Sequence, residues 1–168
     1  MSKLDSKLKE LIITFRKLRD PISGCPWDKE QDFKSIASSA IEESYEVADA
    51  IERENFEDLK AELGDLLFQI VFHSEMAREE NLFTLEDVVD ELNSKLIRRH
   101  PHIFDDGNAK DAKDSLRIWE DIKAKERSDK NLNSLMDDVP KNLPSLTRTK
   151  KLQKRATRVG FDWKNSED

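Results

Sequence analysis

Five acidic residues fall at spacings suited to holding a divalent cation: Glu42, Glu43 and Glu46 in one stretch, Glu62 and Asp65 in the next. Side chains three apart on a helix project from one side, which pairs Glu43 with Glu46 and Glu62 with Asp65. Carboxylates gathered closely raise one another's pKa unless a cation sits among them. Oxygen ligands with no His or Cys beside them favour Mg2+, with Mn2+ as a substitute, over zinc. Glu42 is turned about 100° from Glu43 and suits a place beside the ligands or a second ion.

Helices must position these acids, because the 168 residues contain four glycines and no sustained apolar/polar alternation. The spacing predicts a first helix over about 4–19, with Leu8, Leu11, Ile12, Phe15 and Leu18 on one face. A loop follows over 20–31. A second helix is expected over about 33–53 and a third over about 56–80, with Asn55 as N-cap. So short a connection makes the two an antiparallel hairpin. A turn near Glu54 then sets Glu46 opposite Glu62 and Glu43 opposite Asp65. Thr84 opens a fourth helix that His100-Pro101 stops, and a fifth covers about 113–127. The fold expected is all-α, a helical bundle on an antiparallel hairpin completed by dimerisation. Residues 1–127 form its domain, and 128–168 a linker with a partly ordered C-terminal segment.

Acids on a glutamate-rich helix ordinarily form a solvated face. The third helix argues otherwise, since Leu59, Leu63, Leu66, Leu67, Phe68, Ile70, Val71 and Phe72 leave only a narrow stripe of Glu62, Asp65 and Gln69. A helix apolar nearly all round is normally buried, and buried carboxylates need partners. Gly64 in mid-helix costs about 1 kcal/mol relative to alanine and is expected to mark close approach of a helix, ligand or metal.

A net charge of −7 disfavours nucleic acid and anionic membrane as partners. The apolar run from Leu66 to Phe72 is too short to span a bilayer, and the charged N-terminus does not read as a signal peptide. One cysteine, Cys25, precludes an intrachain disulfide and fits a reducing compartment, with the cytoplasm expected.

The motifs Glu42-Glu43-x-x-Glu46 and Glu62-x-x-Asp65 resemble the paired acidic motif of the all-α nucleotide pyrophosphohydrolases. Gly24-Cys25-Pro26-Trp27-Asp28, Glu62 to Phe68 and Arg98-Arg99-His100-Pro101-His102 narrow the resemblance to the MazG family, from about Arg16 to Trp163. It implies Mg-dependent hydrolysis of a nucleoside triphosphate to the monophosphate and pyrophosphate, with Glu43, Glu46, Glu62 and Asp65 as metal ligands and Glu42 adjoining. It also implies nucleotide contacts at Lys95, Arg99, Trp119 and Lys123, within a homodimer or higher homo-oligomer. Chemistry agrees: Lys95 and Arg99 share a helix face that could grip phosphate, and Trp119 could stack on a base while Lys123 holds a phosphate. The bland readings are an ordinary basic surface and a core tryptophan. No base-reading polar set is visible, so broad base tolerance is expected. The loop at 24–28 resembles the first copy in two-domain members, and Lys151 to Trp163 the passage into a second copy.

Other residues read as structural. Cys25 lacks a nearby histidine and looks architectural, Trp27 could wall a pocket or anchor its loop, and His73 is expected as a packed core histidine. His100 and His102 suit capping or loop packing, and Lys150, Lys151, Lys154 and Arg155 a solvated helix face. A different function class shares the fold: a metal-binding dimerisation or regulatory module with little or no turnover. A ferritin-like di-iron bundle is set aside, because Glu-x-x-His pairs are absent from the second and third helices.

Overall fold

The computed structural model describes residues 2–129 and 134–161. It is all-α: among the described residues there are eight helices and no strand. They are α1 (Lys3–Leu18), α2 (Pro26–Glu30), α3 (Ala37–Glu52), α4 (Phe56–Glu79), α5 (Leu85–Arg99), α6 (Pro101–Phe104), α7 (Ala112–Asp129) and α8 (Ser145–Thr157). The chain divides into two compact units, Met1–Ser94 and Lys95–Asp168, with the boundary inside α5.

In the first unit α3 and α4 form the expected hairpin. Its turn is a Schellman closure: the Asn55 N–H donates to the Ala50 carbonyl and the Glu54 N–H to that of Ile51, both at 3.0 Å. Glu54 sits at φ 53°, in the left-handed region where a glycine is the easier occupant. Asn55 then caps α4, its side chain accepting from the Asp58 N–H. Asn81, at φ 56°, closes the far end of α4 in the same way.

α1 packs on the second half of α4. Phe15, Ile36, Val71, Phe72 and Met76 make the buried cluster, with Phe33 and Phe68 packed against it. The Phe15, Phe68 and Phe72 rings lie 5.1–5.9 Å apart in tilted pairs. The connection from α1 to α3, expected as a loop, contains α2, which Pro26 opens. Arg19 ties it down by donating to the carbonyls of Asp28 and Gln31 while pairing with Glu79. A side chain at Gly24 would meet the Leu18 and Asp20 backbone at 2.4–2.7 Å, so only glycine fits this turn. α3 begins at Ala37 rather than near Phe33, because the Asp32 carboxylate accepts from the Lys34 and Ser35 N–H groups and holds a separate turn.

In the second unit α7 matches the expected fifth helix. The segment expected to be partly ordered contains α8, thirteen residues long. Arg155 is buried and donates to the carbonyls of Leu135 and Asp137 and to the Asp138 carboxylate, so it is not part of a solvated face. Of the Val159 to Trp163 motif, Asp162 and Trp163 lie outside the described residues.

Candidate functional site

The hairpin brings carboxylate oxygens of Glu43, Glu62 and Asp65 within 4.8 Å of one another. Glu43 and Glu62 are half-buried and Asp65 is exposed. Partial burial raises the Glu43 pKa above its ordinary 4.5, and the charges of Glu46, Asp65 and Glu62 push it in the same direction, as does a hydrogen bond with Glu46. Glu62 is likewise raised, by desolvation first and then by Glu46 and Asp65. Three oxygens so placed, with no nitrogen or sulfur donor among them, fit a hard divalent cation. Glu46 adjoins Glu43 but stands exposed outside the three-oxygen group, and Glu42 is exposed as well.

The expectation of a deeply buried stripe is corrected. Enclosure is concentrated between Val71 and Ala77; before that stretch Leu63, Leu67 and Ile70 are 50%, 37% and 44% exposed. Helical periodicity shows that a face is apolar, whereas burial depends on what lies against it. Gly64 has nothing within 4 Å of where a Cβ would stand, so none of the described residues accounts for it. Gly64→Ala should therefore stabilise α4 by up to about 1 kcal/mol in chemical denaturation. Loss of metal-dependent turnover in that more stable variant would show that the open space serves a ligand or partner; undiminished turnover would show that it does not.

The raised carboxylates give a pH dependence with a definite sign. A carboxyl whose folded pKa lies above its unfolded value contributes stability that is full below about 4.5 and lost as pH rises through the folded pKa. Metal needs the ionised form. Stabilisation by a divalent cation held at this cluster, probed with Mg2+, should therefore grow as pH rises from about 4.5 toward neutrality. Thermal unfolding with and without Mg2+ at each pH checks this, because carboxylates outside the site cancel in the difference. An increment independent of pH would rule these groups out as ligands.

Lys95, Arg99, Trp119 and Lys123 belong to the second unit, the first two on the end of α5 and the others on α7. Arg99 reaches the Glu126 carboxylate at 2.6 Å through Nη2, with a second donor, Nε, at 3.1 Å. Arg98 joins the same acid at 2.8 Å. These bonds, Arg99's first, push the Glu126 pKa down to about 2. The Arg99 guanidinium lies 5.2 Å from the Trp119 ring centre, and the His100 ring meets the indole edge-on at 4.8 Å. Trp119 is thus half-buried and braced, between its two sequence readings. Lys123 pairs with Glu120 at 3.7 Å, and Glu120 also takes Lys154 and Arg158. Sequence reasoning missed Glu120 and Glu126. Glu120 stands three residues before Lys123, a spacing that signals their ion pair, whereas nothing periodic links Glu126 to Arg99.

The residues read as structural are placed accordingly. Cys25 is a half-buried free thiol at the start of α2, and Trp27 is 56% exposed. His73 is half-buried, Nδ1 2.8 Å from the Gln69 carbonyl oxygen. His100 precedes α6 and places Nδ1 2.7 Å from the Leu96 carbonyl oxygen.

An all-α hairpin carrying a carboxylate cluster between its helices defines the class. Residues 31–104 match the MazG nucleotide pyrophosphohydrolase domain. A protein of Escherichia coli (strain K12) named nucleoside triphosphate pyrophosphohydrolase is 51% identical over 158 residues, which is 94% of this chain and 60% of that protein. One from Thermotoga maritima, named nucleoside triphosphate pyrophosphohydrolase/pyrophosphatase MazG, is 45% identical over 159 residues, with 95% and 60% covered. A crystal structure of a mazG-related protein from Thermotoga maritima shares the fold at TM-score 0.56 and 24% identity, covering 71% of this chain and 98% of that one. Over residues 31–104 the chain carries a MazG nucleotide pyrophosphohydrolase domain. It spans 60% of the length of the two named relatives.

Proposed function

We propose that the protein hydrolyses nucleoside triphosphates to the monophosphate and pyrophosphate in a Mg2+-dependent reaction, with Mn2+ as a substitute. The single observation that carries this is the convergence of Glu43, Glu62 and Asp65 oxygens within 4.8 Å, in a chain whose relatives are named for that reaction. Glu46, hydrogen-bonded to Glu43, completes the set of carboxylates that would hold the metal. A divalent cation bound there supplies charge neutralisation at the phosphate oxygens. The attacking water forms a bond to the α-phosphorus, the bridging bond to the β-phosphate breaks, and pyrophosphate departs. A carboxylate of the cluster accepts the water's proton, and the fixed positions of these acids on two packed helices orient that water.

Lys95, Arg99 and Lys123 are the phosphate contacts in this reading, and Trp119 the base or ribose contact. Arg99 then exchanges the Glu126 carboxylate for phosphate oxygens, one bidentate acceptor for another. Homodimer formation belongs to the same reading, supported by the exposed Leu63, Leu67 and Ile70. Base tolerance is broad. A preference on the order of a thousandfold for one base would overturn that part.

Pyrophosphate release from several nucleoside triphosphates, with and without Mg2+, beside Glu46→Ala, is the test. Metal-dependent release lost in the variant supports the enzyme. The engagement of Arg99 by Glu126 favours a second reading, a metal-binding regulatory module. A folded protein that binds Mg2+ without turnover establishes it.

A further inference from the structure

The second unit contains a cleft of about 180 Å³ whose walls come from α7, α8, the end of α5 and the turn that carries Asp138. Apart from Arg99, its lining residues lie beyond the matched stretch 31–104. Three of its cations have partners: Arg99 takes Glu126, Lys123 takes Glu120 and Arg155 takes Asp138. The other two, Arg127 and Lys151, have no carboxylate within ion-pair distance among the described residues. Five cations thus line a wall that carries only two carboxylates, Glu126 and Asp138, in a chain of net charge −7. A network serving stability alone matches each cation to an acid, because uncompensated like charges repel. Excess positive charge in a concave site instead complements a multiply charged anion.

We propose that this cleft binds a polyphosphate chain, either the triphosphate tail of the nucleotide or the pyrophosphate released from it, with Arg127 and Lys151 as contacts and α8 as the element that completes it. The proposal rests on the nucleotide reading above for the identity of the ligand. Lys151 and Arg155 are four apart on α8 and share a face. Arg155 is fixed at one end by Leu135, Asp137 and Asp138, so α8 presents Lys151 to the cleft from an anchored helix. Arg127 supplies the planar two-donor geometry suited to phosphate, and Lys151 a mobile point charge. A long nucleic acid would meet the repulsion of the acidic chain as a whole, whereas a short polyphosphate meets the cleft alone.

Calorimetric titration of the full chain with inorganic tripolyphosphate tests this. Arg127→Glu and Lys151→Glu should each weaken binding by about tenfold or more, while Lys150→Glu, an equal charge change outside the cleft, should change it by less than about twofold. Equal losses in all three variants, or no binding by the unchanged protein, overturn the proposal. A single-stranded oligonucleotide held more tightly than tripolyphosphate overturns it too. Steady-state kinetics separates the two sources: a raised KM in Lys151→Glu at unchanged kcat assigns the cleft to the triphosphate tail, and weakened pyrophosphate inhibition at unchanged KM assigns it to the product. Turnover with both quantities indifferent to Arg127 and Lys151 sinks this inference and leaves the enzymatic reading intact. Tripolyphosphate binding through Lys151 in a protein without turnover does the reverse.

Discussion

Glu62→Gln should lower metal-dependent pyrophosphate release by about 100-fold or more, and at the same time make the metal-free protein harder to unfold near neutral pH. The two effects share one cause. Glu62 carries a raised pKa because desolvation and its acidic neighbours Glu46 and Asp65 oppose its charge. Glutamine keeps the length and the helix but removes that charge, which relieves repulsion on α4 and leaves two of the three converging oxygens as anionic ligands. Turnover and thermal unfolding measured on one preparation check the prediction, with Mg2+ present and absent. If the variant loses activity and stability together, the acids are structural partners of one another and the metal site is wrongly assigned. Full activity at unchanged Mg2+ dependence would likewise remove Glu62 from the ligand set. The stability gain should vanish, or reverse, when Mg2+ is added, since the unchanged protein then regains what repulsion cost it.

Phe72→Ala carries the largest expected effect on stability, about 3–5 kcal/mol. Phe72 is fully buried, and its ring sits among those of Phe15 and Phe68 with the Arg19 guanidinium 5.2 Å from its centre. Alanine removes that ring and leaves a cavity that α1 and α4 cannot close without shifting the Arg19 tether to α2. A domain stable by about 5–15 kcal/mol loses much of its margin this way. Urea unfolding followed by helical circular dichroism should show the midpoint falling steeply, and Phe72→Leu should recover most of it. A loss below about 1 kcal/mol would mean that the ring cluster is not the centre of the first unit's core.

Much of the candidate site was legible before any coordinates. Glu43, Glu62 and Asp65 meet because a helix repeats every 3.6 residues and a short turn reverses its direction, and both facts are written in local sequence. The turn itself could be placed at Glu54-Asn55 although Glu54 occupies a conformation that favours glycine. Desolvation aside, Glu46, which the same register argument set opposite Glu62, is the charge that raises the Glu62 pKa most, although its own side chain is exposed. Spacing specifies a side, whereas the reach of each rotamer depends on neighbours.

What the sequence by itself determined is the all-α class, the hairpin, the spacing that gathers Glu43, Glu62 and Asp65 and the likeness to MazG domains, because these rest on periodicity, capping and motifs that span a few residues. Only the tertiary structure decided that α4 keeps Leu63, Leu67 and Ile70 exposed ahead of its enclosed stretch, that Arg99 is engaged by Glu126, and that Arg155 is drawn inward to Asp138. Burial and ion pairing depend on residues tens of positions apart arriving at one place. A long-range charge partner leaves no periodic trace in either of the segments it joins.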